Sequence, residues 1–318
     1  MNVFDFGRCS IAAATITVAL AGCGSQAGNA APAVPLTNSV EPALFSHSET
    51  FKYTGTKQRF KVPPGVKQIQ CILLGGAGYG QSRRSSHRYF GGPAGRVYAV
   101  IAVNPGELFY VFVGGQGRET GAGGFNGGGP SGYGPSANGY GGGGASDIRQ
   151  GGIKHGDRIL VAGGGGGQGY GYVYDVGGKG GGEVGGTGGG NTSSGYGGGG
   201  GTGGAQSYGG SGGDGGMGTS GKNGSPGGRG QLGIGGNGGR GANNPSGYGG
   251  GPGGGGGGGY YGGGGGGGGG AAFASIYGGP GGGGGGGSSY IEPGVLRGQM
   301  WQGWYKATSD GLVVISWR

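Results

Sequence analysis

The sequence holds few of the side chains from which catalytic and metal sites are built. It has three cysteines, three histidines and only 10% charged residues. The histidines are His47, His87 and His155, and none has cysteine or carboxylate partners at the spacing of metal ligands. We therefore expect a protein that is not an enzyme and that holds no metal and no cofactor.

Proline is scarce relative to glycine, with 14 prolines against 109 glycines. A collagen triple helix needs proline at roughly 15–20%, so the shortage argues against one. Glycine nevertheless occupies every third position from Gly209 to Gly239. A period of three fits neither an α-helix nor a strand and is typical of the polyproline II conformation. Two interpretations stay open, a disordered tract or a packet of polyglycine II helices held at its ends by strands.

The N-terminal apolar run, residues 11–21, is too short to span a bilayer and follows Arg8, as in a signal peptide. It ends in Leu20-Ala21-Gly22-Cys23, which resembles a bacterial lipobox. We predict a signal peptide at 1–22, a lipid on Cys23 and a flexible tether over 23–48. The expected location is the cell envelope, as an outer-membrane or cell-surface protein that meets the membrane through its lipid.

Apolar strand patterns lie at both ends of the remaining chain. Phe60 and Val62 alternate with polar residues before Pro63-Pro64-Gly65, and the run 67–76 places Ile69, Cys71 and Leu73 on one face. Further patterns occur at 95–103, 107–115, 157–162 and 312–318. The sequence therefore predicts an all-β fold over 49–318, with a β scaffold at 49–162 and 288–318. The glycine packet, 163–287, is a large insertion between the two parts of this scaffold.

Several long motifs resemble one known family. The motifs are FKVPPGV, FNGGG (125–129), GGGGASDIR (141–149), DRILVAGGGGG (157–167) and DGLVVI. They look like the glycine-rich extracellular domain of the anaplastic lymphoma kinase and leukocyte tyrosine kinase receptors. The resemblance covers nearly all of 49–318 and implies a tumour-necrosis-factor-like β-sandwich that carries a packet of polyglycine II helices. The kinase motifs VAIK, HRD and DFG are absent, so the resemblance implies no kinase activity.

The net charge of +9 suggests an acidic partner. The densest basic cluster, with aromatic neighbours, is the candidate binding loop: Arg83, Arg84, His87, Arg88, Tyr89 and Phe90. A solvated loop without a ligand would have the same composition. The expected partners are an anionic glycan, lipopolysaccharide or a surface protein. Export argues against nucleic acid, although two GGRG segments resemble those of RNA-binding proteins.

Two charged pairs are candidates for structural bracing between the strands and the glycine packet. They are Asp147 with Arg149 and Asp157 with Arg158. The leading functional hypothesis is a surface-anchored binding or adhesion module that is not an enzyme. The alternative is a structural surface-coat or ice-active protein that uses a flat polyglycine face.

Overall fold

The computed structural model describes most of the chain from residue 45 onward. The described ranges are 45–83, 88–134, 137–171, 175–190, 192, 195–219, 222–244, 249–272 and 278–318, without the side chains of 82, 83, 88 and 89. The predicted signal peptide, Cys23 and most of the tether lie outside them.

Two antiparallel five-stranded sheets form the scaffold, which confirms the predicted all-β sandwich. The first sheet, in spatial order, contains β1 (His47–Lys52), β12 (Leu312–Trp317), β3 (Gln68–Leu74), β6 (Arg96–Ala102) and β11 (Arg297–Trp301). The second contains β10 (Tyr290–Ile291), β9 (Arg158–Ala162), β8 (Ser146–Gln150), β7 (Leu108–Phe112) and β2 (Gln58–Lys61). A separate hairpin pairs β4 (Ser82–Arg83) with β5 (Arg88–Tyr89). A short 3₁₀ helix, His155–Asp157, precedes β9.

The hydrophobic core lies between the two sheets and follows the two-residue alternation of the strands. Ile69, Cys71 and Leu73 are fully buried on one face of β3, as the sequence predicted. The rings of Phe51 and Phe60 join the sheets with an edge contact at a centroid distance of 6.4 Å. Burial of each large side chain contributes about 1.5–3 kcal/mol. Cys71 is a free thiol in this core, and its burial raises its pKa.

The sequence patterns did not predict strands β8 and β11, because neither strand alternates apolar and polar residues. The sequence SDIRQ of β8 contains both members of a charged pair, and RGQMW of β11 lies at the edge of the first sheet. An edge strand has only one strand neighbour and can carry polar residues without the loss of a core contact.

The glycine packet is a network of backbone hydrogen bonds between many short segments. Its central segment is Gly262–Gly270. The N–H groups of that segment donate to three neighbours, the segments 225–231, 251–257 and 196–202. Its carbonyl oxygens accept from three others, the segments 210–216, 236–242 and 279–285. The N···O distances are 2.7–3.0 Å, so each backbone polar group of the segment is satisfied.

The partners of the central segment repeat every three residues. Gly262, Gly265 and Gly268 donate in turn to Gln231, Gly228 and Ser225, all in one neighbouring segment. A Cβ on any glycine of the central segment would lie 1.9–2.2 Å from a carbonyl oxygen. Glycine is therefore required here because it allows the backbones to approach closely, and not because of a turn.

The packet begins earlier in the chain than the predicted boundary at residue 163. Gly143 donates to Gly165, and Gly165 in turn donates to Gly76, at 2.8 and 3.0 Å. Glycine segments that follow β3 and β7 thus share the network that the sequence analysis assigned to 163–287. Short glycine runs resemble turns in the sequence. Their hydrogen-bond partners lie far along the chain, so no local pattern assigns them to the packet.

The packet and the entry of the chain lie at opposite ends of the sandwich. Strand β3 runs into the packet at Gly75, and β9 runs into it at Gly163. Lys52 at the end of β1 pairs with Leu312, beside Leu74, whereas His47 at its start pairs with Trp317. The rings of His47 and Trp317 stack at a centroid distance of 6.1 Å. The chain therefore enters the sandwich at the end that faces away from the packet.

Candidate functional site

The predicted basic binding loop is placed only in part. Strands β4 and β5 bring the backbones of Arg83 and Arg88 directly opposite each other. Arg84 and His87 lie outside the described residues, as do the side chains of Arg83, Arg88 and Tyr89. Phe90 is only 4% exposed. Its ring is therefore part of the protein interior, and the proposed role of Phe90 in binding a partner is wrong.

Asp147 and Arg149 form a buried ion pair on β8, with an Arg149 Nε to Asp147 Oδ1 distance of 2.7 Å. Asn126 joins them: its amide donates to Asp147 Oδ2 at 2.8 Å, and its carbonyl oxygen accepts from Arg149 Nη2 at 3.0 Å. The Arg149 guanidinium also lies 3.8 Å above the Phe112 ring. This network fixes the loop of the FNGGG block on the second sheet.

Asn126 has a φ of +66°, a left-handed conformation that is uncommon outside glycine. The next residue, Gly127, accepts a backbone hydrogen bond from Gly235 of the packet at 2.8 Å. The Asp147–Arg149 pair thus holds a loop that itself contacts the packet.

Arg158 connects the sandwich directly to the packet. Its guanidinium donates to the carbonyl oxygens of Gly259 and Tyr260 at 2.7 and 3.0 Å, and its Nε donates to His155 at 2.8 Å. The predicted partner Asp157 is not among these contacts. The Asp157 carboxylate accepts instead from the backbone N–H of Lys154 at 2.6 Å and closes its own turn. Arg158 therefore braces the two parts through carbonyl oxygens and not through a pair with Asp157.

Burial and positive charge shape the electrostatics of this junction. Burial lowers the pKa of the Arg158 guanidinium, although nearby Asp147 opposes the shift. Burial also lowers the pKa of His155, and the charges of Arg158 and Arg149 lower it further. A desolvated imidazole beside two guanidinium groups favours its neutral form.

A second group of aromatic and basic side chains lies on the first sheet where it meets the packet. We call it the Trp301 cluster: Arg96, Trp301, Trp304, Tyr305 and Lys306. The Arg96 guanidinium lies 4.4 Å from the Trp301 ring centroid and 4.8 Å from that of Trp304. The ring centroids of Trp304 and Tyr305 are 5.2 Å apart, and Lys306 Nζ lies 5.4 Å from the Tyr305 centroid. The cluster thus combines three neighbouring aromatic rings with two cations.

Sheet register and backbone hydrogen bonds hold this cluster in place. Trp301 at the end of β11 pairs directly with Arg96 at the start of β6. The N–H of Trp304 donates to Ala94 at 2.8 Å, and that of Gly303 donates to Gly180 of the packet at 2.8 Å. Gly303 has a φ of +61°, and a Cβ there would lie 2.6 Å from Lys179 Cδ. The loop is therefore a fixed turn whose shape depends on glycine.

The sequence patterns did not predict the Trp301 cluster. The available signal was Trp-Gln-Gly-Trp-Tyr-Lys at 301–306, which contains two of the three tryptophans of the chain. No sequence motif pointed to Arg96, because it lies far from residues 301–306 in the chain and meets them only through the pairing of β6 with β11.

Over the described ranges, no three His, Cys, Asp or Glu side chains form a group that could hold a metal ion. No helix of the described residues has the length and apolar character needed to cross a membrane.

Neither a protein-family model nor a curated protein matches this chain.

Proposed function

We propose that this chain is a lipid-anchored binding or adhesion module of the cell envelope, that it is not an enzyme, and that the Trp301 cluster is its binding surface. The observation that carries the proposal is Tyr305, which is 70% exposed beside the half-buried Trp301 and Trp304. Exposed tyrosine on a rigid loop offers a large contact area at a low cost in conformational entropy. The backbone bonds of Trp304 and Gly303 supply that rigidity.

The positions of the chain ends support the display of this surface away from the membrane. A lipid on Cys23 would hold the sandwich from the end at His47, which pairs with Trp317. The tether is shorter than the predicted 23–48, because β1 already begins at His47, and the chain between Cys23 and β1 would span roughly 30 Å. The Trp301 cluster lies at the opposite end of the first sheet, where Leu74, Arg96 and Trp301 are neighbours. The proposed partners are an anionic glycan, lipopolysaccharide or a surface protein.

We also infer that the packet segments are polyglycine II helices and that the chain is related to the glycine-rich domain of the receptor kinases. The threefold repeat of hydrogen-bond partners around 262–270 supports the first inference. The second rests on the motif blocks, and their placement supports it. Asn126, Asp147, Arg149 and Arg158 come from the blocks FNGGG, GGGGASDIR and DRILVAGGGGG, and all hold the junction between sandwich and packet.

The alternative role as a coat or ice-active protein needs a flat face of repeated small residues. Three adjacent packet segments, 209–217, 224–231 and 234–242, present side chains outward at every third position. The exposed residues at these positions are unlike one another: Ser211, Asp214, Met217, Pro226, Arg229, Ile234, Asn237 and Arg240. Such a mixture of sizes and charges provides no regular lattice, so we favour the binding module.

The test is adhesion of cells that display the full chain to surfaces coated with glycans, lipopolysaccharide or proteins. Tyr305→Ala and Trp304→Ala should reduce adhesion about tenfold or more, since hot-spot aromatics contribute at least about 2 kcal/mol. The matched control is Tyr133→Ala, which removes another exposed tyrosine beside an arginine, Arg240, on the packet.

Adhesion that is unchanged in both cluster variants would overturn this placement of the binding surface. A triple change of Arg83, Arg84 and Arg88 to Ser tests the alternative location of the binding surface, the β4–β5 hairpin. If only that variant lost adhesion, the β4–β5 hairpin would be the binding surface. Wild-type cells that adhered to nothing in the panel would argue against an adhesion function.

A further inference from the structure

Arg96 differs from Arg149 and Arg158 in what its guanidinium contacts. Arg149 and Arg158 each donate several hydrogen bonds to protein oxygens. The Arg96 guanidinium lies over both the Trp301 and the Trp304 ring, and no ion pair or side-chain hydrogen bond connects it to another described residue. Its N–H donors are therefore not used within the described part of the protein.

The surroundings fix this unused guanidinium in one orientation. A guanidinium beside the faces of two indoles is held by cation–π attraction, which is strongest for tryptophan. Register pairing with Trp301 fixes its backbone, and the side chain is only partly buried, so its edge is accessible to solvent. An oriented cation with free donors is suited to an anion that accepts two parallel hydrogen bonds, such as a carboxylate.

Two lysines add positive charge around the same loop. Lys306 lies over the outer ring, Tyr305, and is exposed. Lys179 is also exposed, and its aliphatic chain runs past the turn at Gly303. The loop thus carries Lys306 over Tyr305 and Arg96 over the two indoles, with Lys179 beside its turn at Gly303.

We propose that the Trp301 cluster binds an acidic sugar, with Arg96 as the residue that selects the acid group. The apolar C–H face of a pyranose ring would stack on Tyr305, and its carboxylate would accept hydrogen bonds from Arg96. This inference rests on the proposed binding function and gives that surface a ligand class. A neutral sugar would offer the Arg96 donors hydroxyl oxygens but no negative charge, so its hydrogen bonds to Arg96 would be weaker than those of a carboxylate.

The experiment measures binding of the full lipidated chain, in detergent or nanodiscs, to three probes of equal length. The probes are an oligogalacturonate, a neutral galacto-oligosaccharide and a sulfated galacto-oligosaccharide. The wild type should bind the oligogalacturonate more tightly than the neutral probe. Its Kd should rise with salt, because exposed charges are screened over about 8 Å at 0.15 M.

Arg96→Gln should raise the Kd for oligogalacturonate about tenfold to a hundredfold and leave that for the neutral probe nearly unchanged. Arg96→Lys keeps the charge but loses the planar pair of donors. Its Kd should therefore rise about tenfold for oligogalacturonate and less for the sulfated probe. The matched control is Arg59→Gln, which removes another arginine beside an aromatic ring, Tyr110, on the second sheet. Melting curves establish whether each variant folds. If Arg96→Gln does not fold, Arg96→Lys provides the test.

Failure of this inference can be separated from failure of the proposed function. If Tyr305→Ala abolishes adhesion while Arg96→Gln leaves the preference for the acidic probe intact, Arg96 is not the selecting residue. If the cluster variants abolish adhesion but no sugar probe binds, the sugar class is wrong and the binding surface stands. If adhesion is independent of Tyr305 and Trp304, the proposed function fails, and this inference fails with it.

Discussion

The guanidinium of Arg158 donates a 2.7 Å hydrogen bond to the carbonyl oxygen of Gly259, which is 101 residues further along the chain. The same side chain donates to the carbonyl oxygen of Tyr260 at 3.0 Å, and its guanidinium carbon lies 5.2 Å from the centroid of the Tyr260 ring. One buried cation thus joins the start of β9 to the packet residues that precede the central segment 262–270. The junction depends on this residue because glycine segments have no side chains of their own with which to contact the sandwich.

Arg158→Gln should lower the free energy of unfolding by about 2–5 kcal/mol, since buried carbonyl oxygens would lose charged donors. Arg297→Gln, at an exposed position of β11, should change it by less than about 0.5 kcal/mol. Denaturant titrations of both variants measure the difference. Equal stabilities would mean that the junction is held by other contacts.

Gly236→Ala should destabilise the packet, whereas Asn237→Ala should not. A Cβ at Gly236 would lie 2.1 Å from the Gly228 carbonyl oxygen, so two segments would have to separate. The expected loss is about 1–3 kcal/mol, as for overpacked cores. Asn237 is exposed at the next position and tolerates the same change. Thermal unfolding compares the two, and identical melting temperatures would contradict close packing of these segments.

Stability should fall as the pH drops below about 6.5 because of His155. The folded state depresses the pKa of His155 below its ordinary value of 6.5 by burial and by the charges of Arg158 and Arg149. The unfolded chain therefore takes up its proton first, so this stabilisation is present above pH 6.5 and is lost as the pH falls towards the folded-state value. His155→Gln should remove this part of the slope. A variant with an unchanged pH profile between pH 7 and 5 would show that His155 does not carry it.

Cys23→Ser should release the protein from membranes or stop its maturation, because the thioether to the lipid would be absent. Cys9→Ser lies within the predicted signal peptide and should leave anchoring unchanged. Membrane fractionation and mass spectrometry of the mature protein distinguish the two. An unmodified Cys23 in mature wild-type protein would rule out the predicted anchor.

The sequence by itself determined the features that depend on neighbours within a few residues. Alternation placed Ile69, Cys71 and Leu73 in the core, and turn residues such as Pro63-Pro64-Gly65 ended the preceding strand. The period of three over 209–239 is likewise a local pattern, typical of the polyproline II conformation. These features follow from backbone geometry and steric exclusion, which act over short distances along the chain.

Only the tertiary structure decided which distant groups meet. Phe90 looked like a binding aromatic beside arginines, but folding buries it. The sequence predicted Asp157 as the partner of Arg158. In the structure, the Asp157 carboxylate accepts from the nearby backbone N–H of Lys154, and the Arg158 guanidinium donates to carbonyl oxygens of the packet. Arg96 met Trp301 because two strands far apart in sequence pair in one register. Such pairings depend on how the whole chain folds back on itself, and no local pattern of residues encodes them.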